Sequence, residues 1–511
     1  MVNFVVVITD QHRADYLGCT GHPVLKTPNI DRIAAHGTLF ERFYVANPVC
    51  MPNRAAVMTG RHSSVSGIRH NGISLPLEAN TFVDVLRDSG FDTALFGKSH
   101  LQTTLEGSPE LGSNPAGSGP LANAFRRPSG AYDQEKSSAW AEKGRAAIQL
   151  PYYGFNHVDL LTGHGDHAGA AHLLDQQMAL GNPEELQGAE NQIPHDYTCP
   201  QAIRTSIPEE HHSTAWVRDR AIEYLSDPAR KSTPFFAFIS FPDPHHPFTP
   251  PGKYWDMYDP DDMVLPQSFS ERSRNPPPHL KWLHENGVVG EATYGAAVVN
   301  ERQAREAMAL TCGMIAMIDD SIGTILNTLE EQGLKDDTVV VFTSDHGEFL
   351  GDHGLLLKGP LHFQSTTRVP FIWSEPGQAK PKRTRALSSS IDISATILAR
   401  VGLQPYTGIQ GHDLFSATAR HSVLIEDDGN RISLGFSSPP RVRTLVTDSH
   451  RLSLYQGEEW GELYDLKADP IEMQNLWTEP ASQDVKFALI EQLAQQMMSA
   501  CDRSPWPEAL A

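Results

Sequence analysis

Cysteine is scarce and odd in number: the 511 residues hold five, Cys19, Cys50, Cys199, Cys312 and Cys501. Their unrelated spacings argue against a disulfide framework and against a structural zinc site. Positive charge is also in short supply. Lys and Arg total 41 against 62 Asp and Glu, a formal net charge of -21, so neither nucleic acid nor an anionic membrane is expected as a partner. The same acidic surface repels an anionic small molecule, and a pocket for one needs a metal or local cations to reverse the field. The N-terminus shows no basic start, long apolar core or small-residue cleavage site, and no later run is expected to be long and apolar enough to span a bilayer. A cytoplasmic location is the resulting expectation. Internal repeats are missing as well. What is present is an ordinary apolar share of 40%, enough over this length to bury one large core with a smaller appendage.

Short β-branched or aromatic runs recur with helical patterns between them: Phe4–Thr9, Thr93–Phe96, Phe235–Phe241, Thr338–Thr343 and Val369–Trp373. This alternation predicts an α/β fold, a large and mostly parallel sheet sandwiched by helices. Thr27-Pro28-Asn29-Ile30-Asp31 opens a helix with Pro in its first turn and Gly37 as its stop. From Gly107 to Pro120 the chain is rich in Gly, Ser and Pro, and residues 101–200 read as an irregular excursion over the sheet edge. Asn275–Pro278 marks another loop. After Val423–Glu426 the pattern becomes short strands, Thr444–Thr447 and Leu452–Tyr455, and a helix near Val485–Met498. The expected division is therefore a large domain over residues 1–425 and a smaller C-terminal α+β subdomain over 426–511, with an antiparallel sheet and a terminal helix.

Two of the apolar runs end alike. The first closes on Asp10-Gln11-His12 and the fourth on Asp345-His346-Gly347. In open α/β sheets ligands collect at the carboxyl ends of strands, so the pair reads as a hard-metal site of carboxylate, amide and imidazole. The competing reading of each Asp is a cap on the following helix. Cys50-Met51-Pro52-Asn53-Arg54 carries a second signal. Pro52 suits a first helical turn and Gly60 a C-terminal stop, so Cys50 sits at a helix N-terminus where an anion is stabilised by free backbone N–H groups. Arg54, one turn further in, reaches back toward the same group. A lone cysteine in such a cap is otherwise a small buried hydrophobe.

Cys50-x-Pro52-x-Arg54 resembles the signature of the sulfatase family, in which a formylglycine-generating enzyme oxidises the cysteine to an aldehyde. Other landmarks follow in the family's order: Asp10-Gln11, Thr27–Asp31, Gly97-Lys98-Ser99-His100, Pro244-His245-His246-Pro247, Ser344-Asp345-His346-Gly347, and Leu463-Tyr464-Asp465 with Asn475-Leu476. The resemblance implies an alkaline phosphatase-like fold and a hydrolase of sulfate monoesters, of the arylsulfatase type. It further implies one divalent metal held by Asp10, Gln11, Asp345 and His346 together with an oxygen of the modified residue 50. Gln11 and His346 look more like the branch that includes phosphonate monoester hydrolases, which leaves calcium or manganese open.

By the same resemblance, the hydrated formylglycine attacks sulfur, forms a covalent sulfo-enzyme and releases sulfate through its second hydroxyl, which a Ser or Cys lacks. Arg54 orients the diol, Lys98 and His100 flank it with His100 as base, and His245 and Lys358 face the leaving group. Asn71, Lys98, His245 and Lys358 contact the substrate. Asn71 in Asn-Gly is equally a turn residue, and Lys98 and Lys358 are otherwise surface lysines. His157, His164, His167 and His172 cluster without regular ligand spacing, which favours a polar loop at the pocket mouth over a second metal. The implied partners are a small-molecule sulfate ester, the maturation enzyme and further copies of the chain, as a homo-oligomer (dimer or tetramer). The alternative activity is a phosphonate monoester hydrolase or phosphodiesterase with the same machinery. A catalytically silent binding protein on this fold is the reading from another class, and it predicts an unmodified Cys50.

Overall fold

The computed structural model describes residues 2–106, 124, 129–271, 273–287, 295–418 and 420–509. At its centre is a nine-stranded sheet in the order Lys382–Thr384, Gly37–Phe40, Phe371–Ser374, Thr338–Ser344, Asn3–Thr9, Phe235–Ser240, Asp92–Lys98, His157–Thr162, Gly169–Ala170. Asn3–Thr9, Phe235–Ser240 and Thr338–Ser344 are buried at every position. That is why they read as unbroken apolar runs rather than alternating ones.

The five central strands from Thr338–Ser344 across to His157–Thr162 are parallel. The expected strand near Val369–Trp373 runs over Phe371–Ser374 and is antiparallel to both neighbours. Helices cover the sheet in two sets. Pro28–Ala35, Ser213–Leu225 and Glu301–Glu331 pack on one another, and Cys50–Thr59, Phe82–Asp88 and Asp392–Arg400 form the other set. This is the alkaline phosphatase-like sandwich expected, with helices burying both faces of one sheet.

Glu301–Glu331 corrects one expectation. This 31-residue helix contains an 18-residue window of mean hydropathy 1.4, long and apolar enough to cross a bilayer, yet 89% of that window is buried inside the protein. It is hydrophobic nearly all round because protein surrounds it, as in the core of a large domain.

A separate antiparallel sheet, Ser422–Asp428, Arg441–Thr447, His450–Tyr455 and Gly461–Asp465, carries the terminal helix Gln483–Ser499. The expected division at residue 425 falls inside its first strand, so the change of sheet comes a few residues earlier. The Gly-, Ser- and Pro-rich stretch Gly107–Pro120 lies outside the described residues. The rest of the 101–200 excursion contains the helices Ser137–Lys143 and Ala171–Leu180, and it supplies the last two strands of the main sheet.

Candidate active site

Parallel register brings the strand ends to one rim. Thr9 pairs with Ser344, Ile8 with Ser240, Gly97 with Ser240 and Lys98 with Leu161, so Asp10, Asp345 and Lys98 emerge side by side. Gly97 has φ +98°, and a Cβ there would meet the carbonyl of Ser240 at 2.0 Å; only glycine lets these two strands close up just before Lys98. Gln11 and His100, immediately past two strand ends, hold left-handed φ of 62° and 58°. Side chains with a Cβ adopt that region at a cost, and such residues concentrate at functional sites.

Cys50 is the first residue of the helix Cys50–Thr59, all ten of whose residues are buried, and Gly60 ends it in the left-handed conformation. Asn71 accepts the backbone N–H of Met51 at 3.2 Å through its Oδ1, satisfying one of the free donors of that first turn. The expected substrate contact of Asn71 thus begins from a residue already tied to the helix start. Arg54, one turn in, is 1% exposed and reaches four acceptors: Asp345 Oδ2 at 2.7 Å, Asp10 Oδ2 at 3.2 Å, and the Lys98 carbonyl and Ser240 Oγ, each at 2.9 Å. It locks both carboxylates in place rather than facing the pocket with its charge free.

Four of the five expected metal ligands converge. Ligand atoms of Asp10, Cys50, Asp345 and His346 all lie within 4.8 Å of one another, all buried. Cys50 Sγ is 3.1 Å from His346 Nε2 and 3.8 Å from Asp10 Oδ1. Gln11 stands beside them, its amide held by Lys358 Nζ at 2.8 Å, by His246 Nδ1 at 3.1 Å and by Glu348.

This donor set fits a divalent cation, and His346 shows why. Burial and Lys358 both lower its proton affinity, but Asp345, Cys50 and Asp10 outweigh them and push it up to about 10. The pocket demands positive charge at the point where the ligand atoms meet. Burial likewise opposes the charge on Asp10, and Lys98 leads the groups that nevertheless hold its carboxyl well below the usual range. At Cys50, burial and Asp10 resist a thiolate while Lys358, Lys98 and His346 favour one, and the balance lowers its proton affinity.

On the far side stand two lysines. Lys98 is 2% exposed and ion-paired to Asp10. Lys358 Nζ lies 3.0 Å from His245 Nε2 and 3.6 Å from Cys50 Sγ, so both lysines are pocket groups and not surface ones. Burial, then His164 and Lys358, keep His245 well below its ordinary value, and burial with Lys98 does the same for His100. His100 donates its backbone N–H to Glu135 at 2.9 Å, and its Nδ1 has no partner.

His164, expected only in a polar loop at the pocket mouth, stands inside the site. Its Nε2 is 2.5 Å from Lys98 Nζ and 3.7 Å from Asp10 Oδ2, and its ring stacks on His245. Of the four clustered histidines only this one reaches the site. His157 pairs with Asp159, His167 faces Asp166, and His172 packs on Trp216. The available signal was the short stretch Leu160-Leu161-Thr162 ending in Gly163-His164, a weaker version of the strand ends before Asp10 and Asp345.

A family model described as sulfatase matches residues 2–403, and one described as N-sulphoglucosamine sulphohydrolase, C-terminal, matches residues 351–499. An uncharacterised sulfatase of Escherichia coli (strain K12) is 27% identical over 501 residues, 97% of this chain and 87% of the relative. An arylsulfatase of Clostridium perfringens is 28% identical over 93% of this chain and 90% of its own length. Among solved structures, the phosphonate monoester hydrolase of Agrobacterium radiobacter superposes with a TM-score of 0.76 at 23% identity, covering 99% of this chain and 97% of its own.

Proposed function

The chain belongs to the sulfatase family and is a hydrolase of sulfate esters, and from that premise we propose that it cleaves aryl sulfates, with Cys50 oxidised to formylglycine by a formylglycine-generating enzyme. The observation that carries this reading is the placement of Cys50. It begins a buried helix, with Asp10, Asp345 and His346 on one side and Lys98 and Lys358 on the other.

Hydrated formylglycine supplies two hydroxyls on one carbon, one to attack sulfur and one to release sulfate afterwards. Asp10, Gln11, Asp345 and His346 would hold a calcium or manganese ion, which would supply positive charge favouring ionisation of a hydroxyl at residue 50. The chain's own groups do the rest. Arg54 fixes the two carboxylates. Lys98 and Lys358 stabilise charge on the oxygens around sulfur. His245 and Lys358, hydrogen-bonded to one another, face the departing alcohol, and the Lys358 ammonium supplies its proton. His100, kept neutral by burial, is suited to accept a proton from the second hydroxyl.

A second reading, hydrolysis of phosphonate monoesters or phosphodiesters, rests on the pairing of Gln11 with His346. Sulfate esters, phosphonate monoesters and phosphodiesters all carry one negative charge, so charge alone does not separate them. Shape does, because the sulfate ester presents three bare oxygens where the phosphorus substrates present two and a carbon-bearing group. The Lys98 ammonium, a cationic donor held by His164 on one side of the pocket, suits the third bare oxygen. Steady-state kinetics on an aryl sulfate and an aryl phosphonate monoester, side by side, test this: the sulfate is expected to have the higher kcat/KM, and a preference for the phosphonate reverses the ranking.

A further inference from the structure

A cavity of about 190 Å³ lies between the segments around Arg13, Asp352, Gln364 and Glu472. None of the groups surrounding Cys50 lines it. Its two arginines differ in circumstance. Arg13 is committed, 2.7 Å from Asp15 and 3.0 Å from Asp352. Arg368 is less so: its Nε is buried without a hydrogen-bond partner, and no carboxylate is in ion-pair contact with it among the described residues, although its charge helps hold Asp15 ionised from a distance.

Two further donors on the same wall are buried and unpartnered, Gln364 Nε2 and Ser365 Oγ. Ser365 is 7% exposed. The amide of Gln364 is oriented, because its Oε1 accepts from the Tyr44 hydroxyl at 2.9 Å, which leaves the NH₂ without a partner. The carboxylates of the cavity are spoken for. Asp15 and Asp352 hold Arg13, while Glu472 accepts from Arg451 and from the backbone N–H of Gln364 at 2.7 Å.

Buried polar side chains in folded proteins are nearly always partnered, so three idle donors around one void call for an occupant. The void has the volume of about six water molecules. Water satisfies hydroxyl and amide donors, but it does not neutralise a guanidinium; an oxyanion does both, and the planar fork of arginine matches its geometry. We propose that this cavity binds a small oxyanion, a carboxylate, sulfate or phosphate group, through Arg368, Gln364 and Ser365.

Titration calorimetry tests it, with inorganic sulfate, inorganic phosphate and acetate added to the full-length protein in chloride-free buffer. Wild type is compared with Arg368→Met and Ser365→Ala. Wild type is expected to bind one more anion per chain than Arg368→Met, and Ser365→Ala to weaken that site about tenfold, with kcat/KM on sulfate esters unchanged in both. Tighter acetate assigns the site to a carboxylate ligand, and tighter sulfate or phosphate assigns it to inorganic or ester anions. Equal stoichiometry and affinity in wild type and Arg368→Met overturn the proposal, and unaltered binding in Ser365→Ala does so even where Arg368→Met fails to fold. Turnover is read separately, so failure here leaves the assignment around Cys50 standing.

Discussion

The imidazoles of His164 and His245 stack face to face, 3.7 Å between centroids and 9° between planes. Each presents its Nε2 to a lysine, His164 to Lys98 at 2.5 Å and His245 to Lys358 at 3.0 Å. A lysine ammonium only donates, so each ring nitrogen accepts and both rings are neutral. Burial and Lys98 bring His164 down to about 4, in keeping with that state. The stacked pair therefore spaces two cations across one pocket.

Replacing His164 by Ala releases Lys98 from its spacer. The expected loss is in kcat, about tenfold to a hundredfold, the range that displacement of a charged group by an ångström produces. KM is expected to move less than threefold. His164→Gln, which keeps an acceptor for Lys98, is expected to recover part of kcat; equal losses in the two variants would point to a packing role alone.

Arg54 sits between Asp345 and Asp10 with all three buried. Arg54→Met takes the 2.7 Å partner from the buried Asp345 and leaves Asp10 to Lys98 alone among the lysines and arginines, and breaking such a buried pair costs about 3–5 kcal/mol. Urea unfolding followed by circular dichroism is expected to show that loss.

Dialysis against a chelator is expected to abolish sulfate ester hydrolysis, with recovery on adding calcium or manganese. Asp345→Asn removes a charge from the cluster formed with Asp10, Cys50 and His346. Its bound metal, measured by elemental analysis, is expected to fall well below the one equivalent per chain of the wild type. Full metal content in that variant would place the cation elsewhere.

Acid is expected to weaken the fold through buried histidines outside the ligand cluster. Burial holds His172, His212 and His279 down to about 4, whereas in the unfolded chain they protonate near about 6.5. Between those values the unfolded state binds more protons. Stability is therefore complete above about pH 6.5 and falls as pH drops toward 4. Urea midpoints at pH 7.5 and pH 5 check this, with the lower midpoint expected at pH 5.

Legibility in the sequence followed the physics of each element. Central strands buried on both faces announce themselves as apolar runs, and the Asp after Thr9 or Ser344 marks a rim because parallel strands end together. Gly37–Phe40 and His157–Thr162 were not foreseen. The first is four residues long, and the second mixes His and Asp into its exposed beginning. His164 was lost with that strand. Its place beside Lys98 follows from the pairing of Lys98 with Leu161, a tertiary fact without local periodicity. The bilayer-length character of Glu301–Glu331 was overlooked because Arg and Glu residues interrupt its first two turns.

The most direct test of the account is the mass of the peptide containing residue 50, taken from active protein produced alongside a formylglycine-generating enzyme. The account predicts an aldehyde in place of the thiol, trappable by a hydrazine reagent, in the same fraction as the molecules that turn over. A fully active preparation in which Cys50 is still an intact thiol would contradict it.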